Sequence, residues 1–256
     1  MNNQQIQYII DIALNAGQEI MNIYNSSDFG VEIKSDNSPL TLADKAAHEV
    51  IMEGLNKTEY PVLSEEGAKT PFEERKNWKR FWMVDPLDGT KEFIKKNGEF
   101  TVNIALIENG DPIFGVVYAP VLEVLYYGLK GGGAYKISQG EKKEIKISIP
   151  KDKLVVVASR SHLNGETSDY IQRVKEKYKT TKIISKGSSL KLVLVAEGKA
   201  HLYPRFAPTM EWDTAAGHAV VVAAGGYVTK TDGSPLIYNK ENLLNPYFIV
   251  SSILDD

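Results

Sequence analysis

Residues 100–120, "FTVNIALIENGDPIFGVVYAP", hold two apolar runs joined by Asn109, Gly110 and Asp111. Asn-Gly is a favoured hairpin turn because both positions tolerate positive φ. Residues 123–137, "EVLYYGLKGGGAYKI", repeat the form around three glycines. Two hairpins in succession predict an antiparallel meander. The glycine run lacks the strand-loop-helix context of a phosphate cradle and reads as a turn.

The flanking segments differ in period. Residues 4–25 place Ile6, Ile9, Ile10, Ala13, Ile20, Met21 and Tyr24 at helical spacing. "SPLTLADKAAHEVIMEGLNK" reads as a second helix, capped by Ser38 or Thr41. "YPVLSEE" and "RFWMVDP" read as short strands, the second stopped by Pro86. Beyond about residue 150 the pattern changes again. "KLVVVAS", "TTKIIS", "HLYPR" and "YFIVSS" read as strands, and "ETSDYIQRVKEKY", "SSLKLVLVAEG" and "WDTAAGHAVVVAAG" as helices. Alternation of this kind predicts a sheet with helical crossovers. The expected architecture is one α/β unit of 256 residues. An antiparallel-sheet part over 1–150 would pack against a smaller mixed or parallel part over 151–256, with no low-complexity linker between them.

Composition excludes several functions. The chain has no cysteine, which removes disulfides, thiolate metal sites and a cysteine nucleophile. A net charge of −3 does not suit a general nucleic-acid binder. The N-terminal residues lack the pattern of a signal peptide, and no apolar run approaches the roughly 20 residues of a membrane helix. The expected setting is cytoplasmic and without a transmembrane segment; peripheral membrane association stays open.

The chemistry concentrates in acidic segment ends. In "DPLDGTKEF", Asp85 and Asp88 flank Pro86 and the Leu87 carbonyl. A turn there would aim three oxygen ligands into one space, a set suited to Mg²⁺. Asp88 or Thr90 would cap a following helix whose first N–H groups suit an anion. The same residues would also make an ordinary surface turn. Glu65 and Glu66 end "VLSEE", and Asp213 begins "WDTAAG", where it would serve equally as a helix cap. If these ends converge, the cluster repels itself unless cations are present. Two Mg²⁺ ions about 3.5–4 Å apart would make it a clamp for phosphoryl transfer. None of the four histidines forms a metal-ligand pair. His48 and His218 read as packed or capping residues and His201 as a strand end, while His162 in "SRSH" is a further candidate.

"SEE", "DPLDGT" and "WDTAAG", in this order and spacing, resemble the lithium-sensitive, magnesium-dependent phosphatases of the inositol monophosphatase superfamily. The likeness runs from "DNSPLTLAD" to "NPYFIVSS". "NGEFTVNIALI", "GVVYAP", "SRSH", "GSSLK" and "LYPRFAPT" followed by "WD" resemble the bacterial 3′(2′),5′-bisphosphate nucleotidase branch, with Met83 where that pattern has leucine. The resemblance implies a layered αβαβα fold and two or three Mg²⁺ per site. It implies Glu65, Asp85, the Leu87 carbonyl, Asp88 and Asp213 as metal ligands, with Glu66 behind them. Glu65 and Thr90 would hold the attacking water, and Asp44 would orient Thr90. Gly89 and Thr90 N–H groups would bind the scissile phosphate. Ser188, Lys191 and Arg205 would bind a second phosphate and sugar, with Tyr203 or Phe206 beneath a base.

The implied activity is hydrolysis of adenosine 3′,5′-bisphosphate, and of 3′-phosphoadenylyl sulfate, by a monomer or homodimer. Inositol phosphate or sugar bisphosphate hydrolysis is the alternative within the superfamily. A catalytically inactive metal or nucleotide sensor is the alternative outside it.

Overall fold

The computed structural model describes residues 1–26, 29–33, 39–67, 70–159 and 165–253. Ser38, and "SRSH" from Arg160 onward with His162, lie outside them. Chain order begins with α1 (Asn3–Tyr24), β1 (Glu32–Ile33), β2 (Pro39–Leu40), α2 (Leu42–Leu55), β3 (Val62–Ser64), α3 (Phe72–Arg75), β4 (Arg80–Asp88) and α4 (Thr90–Ile94). The meander follows as β5 (Thr101–Glu108), β6 (Asp111–Ala119), β7 (Val124–Leu129), β8 (Gly133–Ser138) and β9 (Glu141–Ile145). The remainder is β10 (Lys153–Ser159), α5 (Gly165–Lys175), β11 (Thr180–Lys186), α6 (Leu190–Ala196), β12 (Leu202–Arg205), α7 (Glu211–Ala223), β13 (Tyr227–Lys230) and β14 (Phe248–Ser251).

Two large sheets organise the chain. One runs β3-β4-β5-β6-β7-β8-β9 and is antiparallel except for the parallel β3–β4 pair. The other runs β11-β10-β12-β14-β13, with β10 parallel to β11 and β12, and β14 antiparallel to both neighbours. Asn109 and Gly110 take φ of 52° and 83°, the positive pair that a two-residue turn matching strand twist requires. The crossover pattern read beyond residue 150 is present, but β13 and β14 add antiparallel strands to it. β9 and β13 are further strands that the sequence pattern did not mark.

Alternation along β4 and β5 builds the layers. Trp82, Val84, Val102, Ile104 and Leu106 pack with Ile9, Ala13, Ala47 and Ile51 of α1 and α2. Phe81, Met83, Ala105 and Ile107 face the other way, into a core shared with α6, α7 and the second sheet. Leu154, Val156 and Leu202 on that sheet's far side pack with Ile171 and Val174 of α5. The order is therefore helix, sheet, helix, sheet, helix, the expected αβαβα sandwich. No described helix is long and apolar enough to cross a membrane.

Two local expectations are corrected. Pro86 does not stop its strand: β4 continues to Asp88 as an irregularity. Asp85 pairs with Asn103 and Asp88 with Thr101, so three steps on β4 oppose two on β5. Proline is tolerated here because a bulge leaves one residue out of the ladder. The second correction concerns α4. Neither Asp88 nor Thr90 caps it: Gly89 stands at the cap with φ 96°, and no side chain bonds the first turn. A residue with a Cβ resists that left-handed conformation.

Helix α7 lies close against the first sheet. A Cβ on Gly115 would sit 2.3 Å from the Ala216 carbonyl oxygen, which is backbone and cannot rotate away. Gly115→Ala should lower stability by about 1–3 kcal/mol. Gly165→Ala, where an added Cβ meets nothing within 4 Å, should change it by less than about 0.5 kcal/mol. Urea unfolding of the two variants beside the wild type checks the contrast.

Candidate active site

The bulge places the acidic pair. In a regular strand residues three apart face opposite sides. One extra residue restores the alternation, so Asp85 and Asp88 line the same cavity. Asp85 accepts from the Leu87 N–H at 3.0 Å, which fixes its carboxylate over the turn. β3 lies parallel to β4 and delivers Glu65 beside it, the Glu65 N–H donating to the Val84 carbonyl at 3.1 Å. The first turn of α7 brings Asp213 from the far side. Asp213 is not the N-cap but the third helical residue, and its Oδ2 accepts from the Met210 N–H at 2.8 Å.

Glu65, Asp85 and Asp213 offer carboxylate oxygens that lie within 4.8 Å of one another. Burial raises the Asp85 pKa well above the usual carboxylate value, and the charges of Glu65, Asp88, Asp213 and Asp44 add to it. Asp213 is raised well above it too, by burial, then by Asp88 and Glu65, against a smaller lowering by the Met210 N–H. Several buried carboxylates facing one space are unfavourable as anions without a cation. A hard divalent ion with all-oxygen ligands fits this donor set.

Asp88 is held differently. Its Oδ2 accepts from Ser189 Oγ at 2.9 Å and, more weakly, from Asn103 Nδ2 at 3.5 Å. Burial raises its pKa, while nearby Lys191 and the Ser189 bonds oppose the rise. Ser189 Oγ also lies 2.7 Å from the Asp213 carbonyl and accepts from Asn103 Nδ2 at 3.0 Å. One hydroxyl thus ties β4, β5 and α7 together. Ser189 and Asn103 were not singled out in the sequence. Asn103 had a signal, a polar residue two positions from Thr101 within an apolar run. Ser189 was masked by its neighbour Ser188.

Asp44 and Thr90 meet across the site. Thr41, not the undescribed Ser38, caps α2. Its hydroxyl and N–H donate to Asp44 Oδ2 at 2.5 and 2.7 Å. Asp44 Oδ1 faces Thr90 Oγ1 at 3.2 Å, with the Leu87 carbonyl 3.4 Å from the same hydroxyl. Burial raises the Asp44 pKa against the Thr41 hydrogen bonds, and Glu66 raises it further. Glu66 does not line the cavity.

The cavity is about 700 Å³ and is lined by both acids and cations. Ser188, Lys191 and Arg205 line it together with the carboxylates, Lys191 close to Asp88. Neither cation is a solvated surface charge: Lys191 is 6% and Arg205 8% exposed. Lys191 Nζ donates to the Ser188 carbonyl at 2.5 Å, and Arg205 Nη2 to the Pro208 carbonyl at 2.8 Å. Burial lowers the Lys191 pKa to about 8; Asp88 opposes that and Arg205 adds to it. Ser188 Oγ and Arg205 Nε are buried without a hydrogen-bond partner. Gly89, Thr90 and Tyr203 also line the cavity, whereas Phe206 stacks on Tyr247 and meets Tyr170 edge-on outside its lining.

The described histidines are occupied elsewhere. His48 Nδ1 lies 2.9 Å from Ser64 Oγ. His201 Nδ1 accepts from the Val155 N–H at 2.9 Å. His218 Nδ1 lies 2.9 Å from the Tyr238 hydroxyl, and burial lowers its pKa to about 3.

Layered sheets around an acidic, cation-walled cavity define the class, a metal-dependent phosphatase. The family follows from comparison with known proteins. A profile described as the inositol monophosphatase family matches residues 2–250, and the chain belongs to that family. The 3′(2′),5′-bisphosphate nucleotidase CysQ of Escherichia coli is 53% identical over 250 residues, covering 96% of this chain and 99% of the relative. The CysQ of Haemophilus influenzae is 34% identical over 254 residues, 98% of this chain and 93% of its own. The crystal structure of CysQ from Bacteroides thetaiotaomicron superposes with a TM-score of 0.89 at 51% identity, covering 98% of each chain. A Thermotoga maritima IMPase superposes at 0.77 with 26% identity, over 97% of this chain and 92% of its own.

The cluster predicts a pH signature. Asp85 and Asp213 have higher pKa values folded than unfolded, so the folded chain binds more protons. Their contribution is most favourable in acid and is lost as pH rises above the ordinary carboxylate range through the raised folded values. In EDTA, the melting temperature should fall as pH rises above the ordinary carboxylate range. Asp85→Asn should flatten that fall, and a divalent cation should offset it in the wild type. Parallel curves for the two proteins would contradict the account.

Proposed function

We propose that this chain hydrolyses the 3′-phosphate of adenosine 3′,5′-bisphosphate to AMP and phosphate with Mg²⁺, and accepts 3′-phosphoadenylyl sulfate as a related substrate. The observation that carries the reading is the pair of buried cations, Lys191 and Arg205, lining the same cavity as a carboxylate cluster. A substrate with one phosphate needs the cluster alone. A substrate with two needs cationic donors besides it, and arginine and lysine are the side chains that supply them. The name of the 53% identical relative supports the same substrate.

Glu65, Asp85, Asp88, Asp213 and the Leu87 carbonyl would hold two or three Mg²⁺. Bound there, Mg²⁺ supplies an activated water, charge neutralisation on the phosphoryl oxygens and a stabilised leaving oxygen. The side chains do the rest. Thr41 fixes Asp44 Oδ2, leaving Oδ1 for the Thr90 hydroxyl. With its proton directed to Asp44, Thr90 Oγ1 presents a lone pair that accepts a hydrogen bond from the attacking water, and Glu65 helps to hold that water. Gly89 and Thr90 N–H groups meet the scissile phosphate. Ser189 holds Asp88 in register with Asp213. Ser188, Lys191 and Arg205 receive the second phosphate and the sugar, and the unpaired Ser188 Oγ and Arg205 Nε are the donors that binding would satisfy.

Phosphate release from adenosine 3′,5′-bisphosphate, 3′-AMP, inositol 1-phosphate and a sugar bisphosphate, with and without Mg²⁺, tests the assignment. The bisphosphate nucleotide should have the highest kcat/KM and should require Mg²⁺. Faster turnover of inositol 1-phosphate would overturn it. Asp88→Asn should lower kcat by at least about a hundredfold with the folded state retained by circular dichroism. A wild-type rate in that variant would reject the metal mechanism and favour no role for the cluster beyond binding.

A further inference from the structure

Between β11 and α6 the chain takes a constrained path. Ser188 has φ 42°, a left-handed conformation that costs an L-residue free energy. Its carbonyl receives Lys191 Nζ, and its hydroxyl is buried without a partner beside the cavity. The part of the cavity lined by Ser188 and Lys191 therefore depends on how residues 186–188 are held.

Glu99 holds them. It precedes β5 and is 8% exposed. Its Oε2 accepts from the Gly187 N–H at 2.9 Å, and its Oε1 accepts from Lys186 Nζ at 2.9 Å. Its own N–H donates to Asn97 Oδ1 at 2.9 Å, so its backbone is fixed in turn. The approach is close: a Cβ on Gly187 would lie 2.7 Å from the Glu99 carbonyl oxygen. Gly89, which starts the catalytic turn, packs on both partners, since a Cβ there would lie 3.3 Å from the Glu99 carbonyl and from Ser188 Cβ. Lys186 lines the cavity, whereas Glu99 does not.

We infer that Glu99 is a positioning residue for recognition of the second phosphate. Its carboxylate locks Gly187 and aims Lys186 along the cavity wall, and so sets Ser188 and Lys191 for a distal anion. Lys186, whose side chain stays 39% exposed, adds a further cation to the cavity lining. The two carboxylate oxygens divide the work. The bond to Gly187 shapes the backbone, and the ion pair places a charge. An isolated surface ion pair would contribute little, but here the acid is buried and bonded to backbone as well. This inference rests on the bisphosphate reading of the cavity.

The test compares wild type, Glu99→Ala and Glu99→Gln on adenosine 3′,5′-bisphosphate and 3′-AMP, which differ by the distal phosphate. Glu99→Ala should raise KM for the bisphosphate about tenfold or more, with kcat changed less than about threefold, and should alter KM for 3′-AMP by less than about threefold. Glu99→Gln keeps an acceptor for Gly187 and loses the charge facing Lys186, so it should fall between. Calorimetric binding of both nucleotides to metal-free protein gives a second readout without turnover. There the wild type should prefer the bisphosphate, and Glu99→Ala should abolish that preference. Equal losses on both nucleotides, a fall in kcat alone, or an unchanged preference would overturn the inference. A misfolded Glu99→Ala leaves Glu99→Gln to decide on the same criteria. Wild type that binds the bisphosphate preferentially but does not hydrolyse it would reject the proposed activity while leaving the role of Glu99 standing.

Discussion

One extra residue at the end of β4 is what the site depends on. Without it, Asp85 and Asp88 would face opposite sides of the sheet. Asp88 would then point toward the α1 and α2 layer, where Trp82 and Val84 pack. The irregularity between Asp85 and Asp88, with Pro86 and Leu87 inside it, puts both carboxylates into one cavity without breaking the sheet. Leu87 meanwhile keeps its side chain among the apolar residues of the α1 and α2 layer. The same stretch thus anchors the core and presents two anions.

The remaining layers bring what that turn lacks. The parallel strand β3 supplies Glu65, α2 supplies Asp44, and α7 supplies Asp213. α7 can do so only because Gly115 lets its backbone lie against β6. The second sheet and α6 carry the opposite charge, on Lys186 and Arg205 of β11 and β12 and on Lys191 of the helix. Gathering acids and cations in one cavity costs burial of both, seen in the raised carboxylate and lowered lysine pKa values. Desolvation of this sort is tolerated where a doubly charged ligand and its cations complete the balance.

Much of this was legible in the chain. Asn109 and Gly110 marked the meander because only certain residues accept two positive φ values in succession, and the helical spacing of Ile6, Ile9 and Ala13 marked α1. Asp85, Asp88, Glu65 and Asp213 stood out as acids beside apolar segments, and the structure gathers them. Less local features were not legible. Pro86 reads as a strand stop because its missing N–H is a local fact, while its tolerance depends on the partner strand. Gly89 displaced Asp88 and Thr90 as the α4 cap because the chain turns through positive φ there. Ser189 and Glu99 act through contacts 101 and 88 positions away along the sequence, so no short motif could reveal them. The β9 strand, "EKKEI", is exposed along most of its length and carries almost no apolar pattern.

The central claim is that the converging carboxylates hold divalent cations where a phosphate ester can reach them. The most direct measurement is a crystal structure of the protein grown with Mn²⁺, with anomalous difference maps recorded at the manganese edge. Peaks bounded by Glu65, Asp85 and Asp213, with Asp88 and the Leu87 carbonyl beside them, are the predicted result. A well-ordered cluster without an anomalous peak at saturating Mn²⁺, or peaks only elsewhere on the chain, would contradict it.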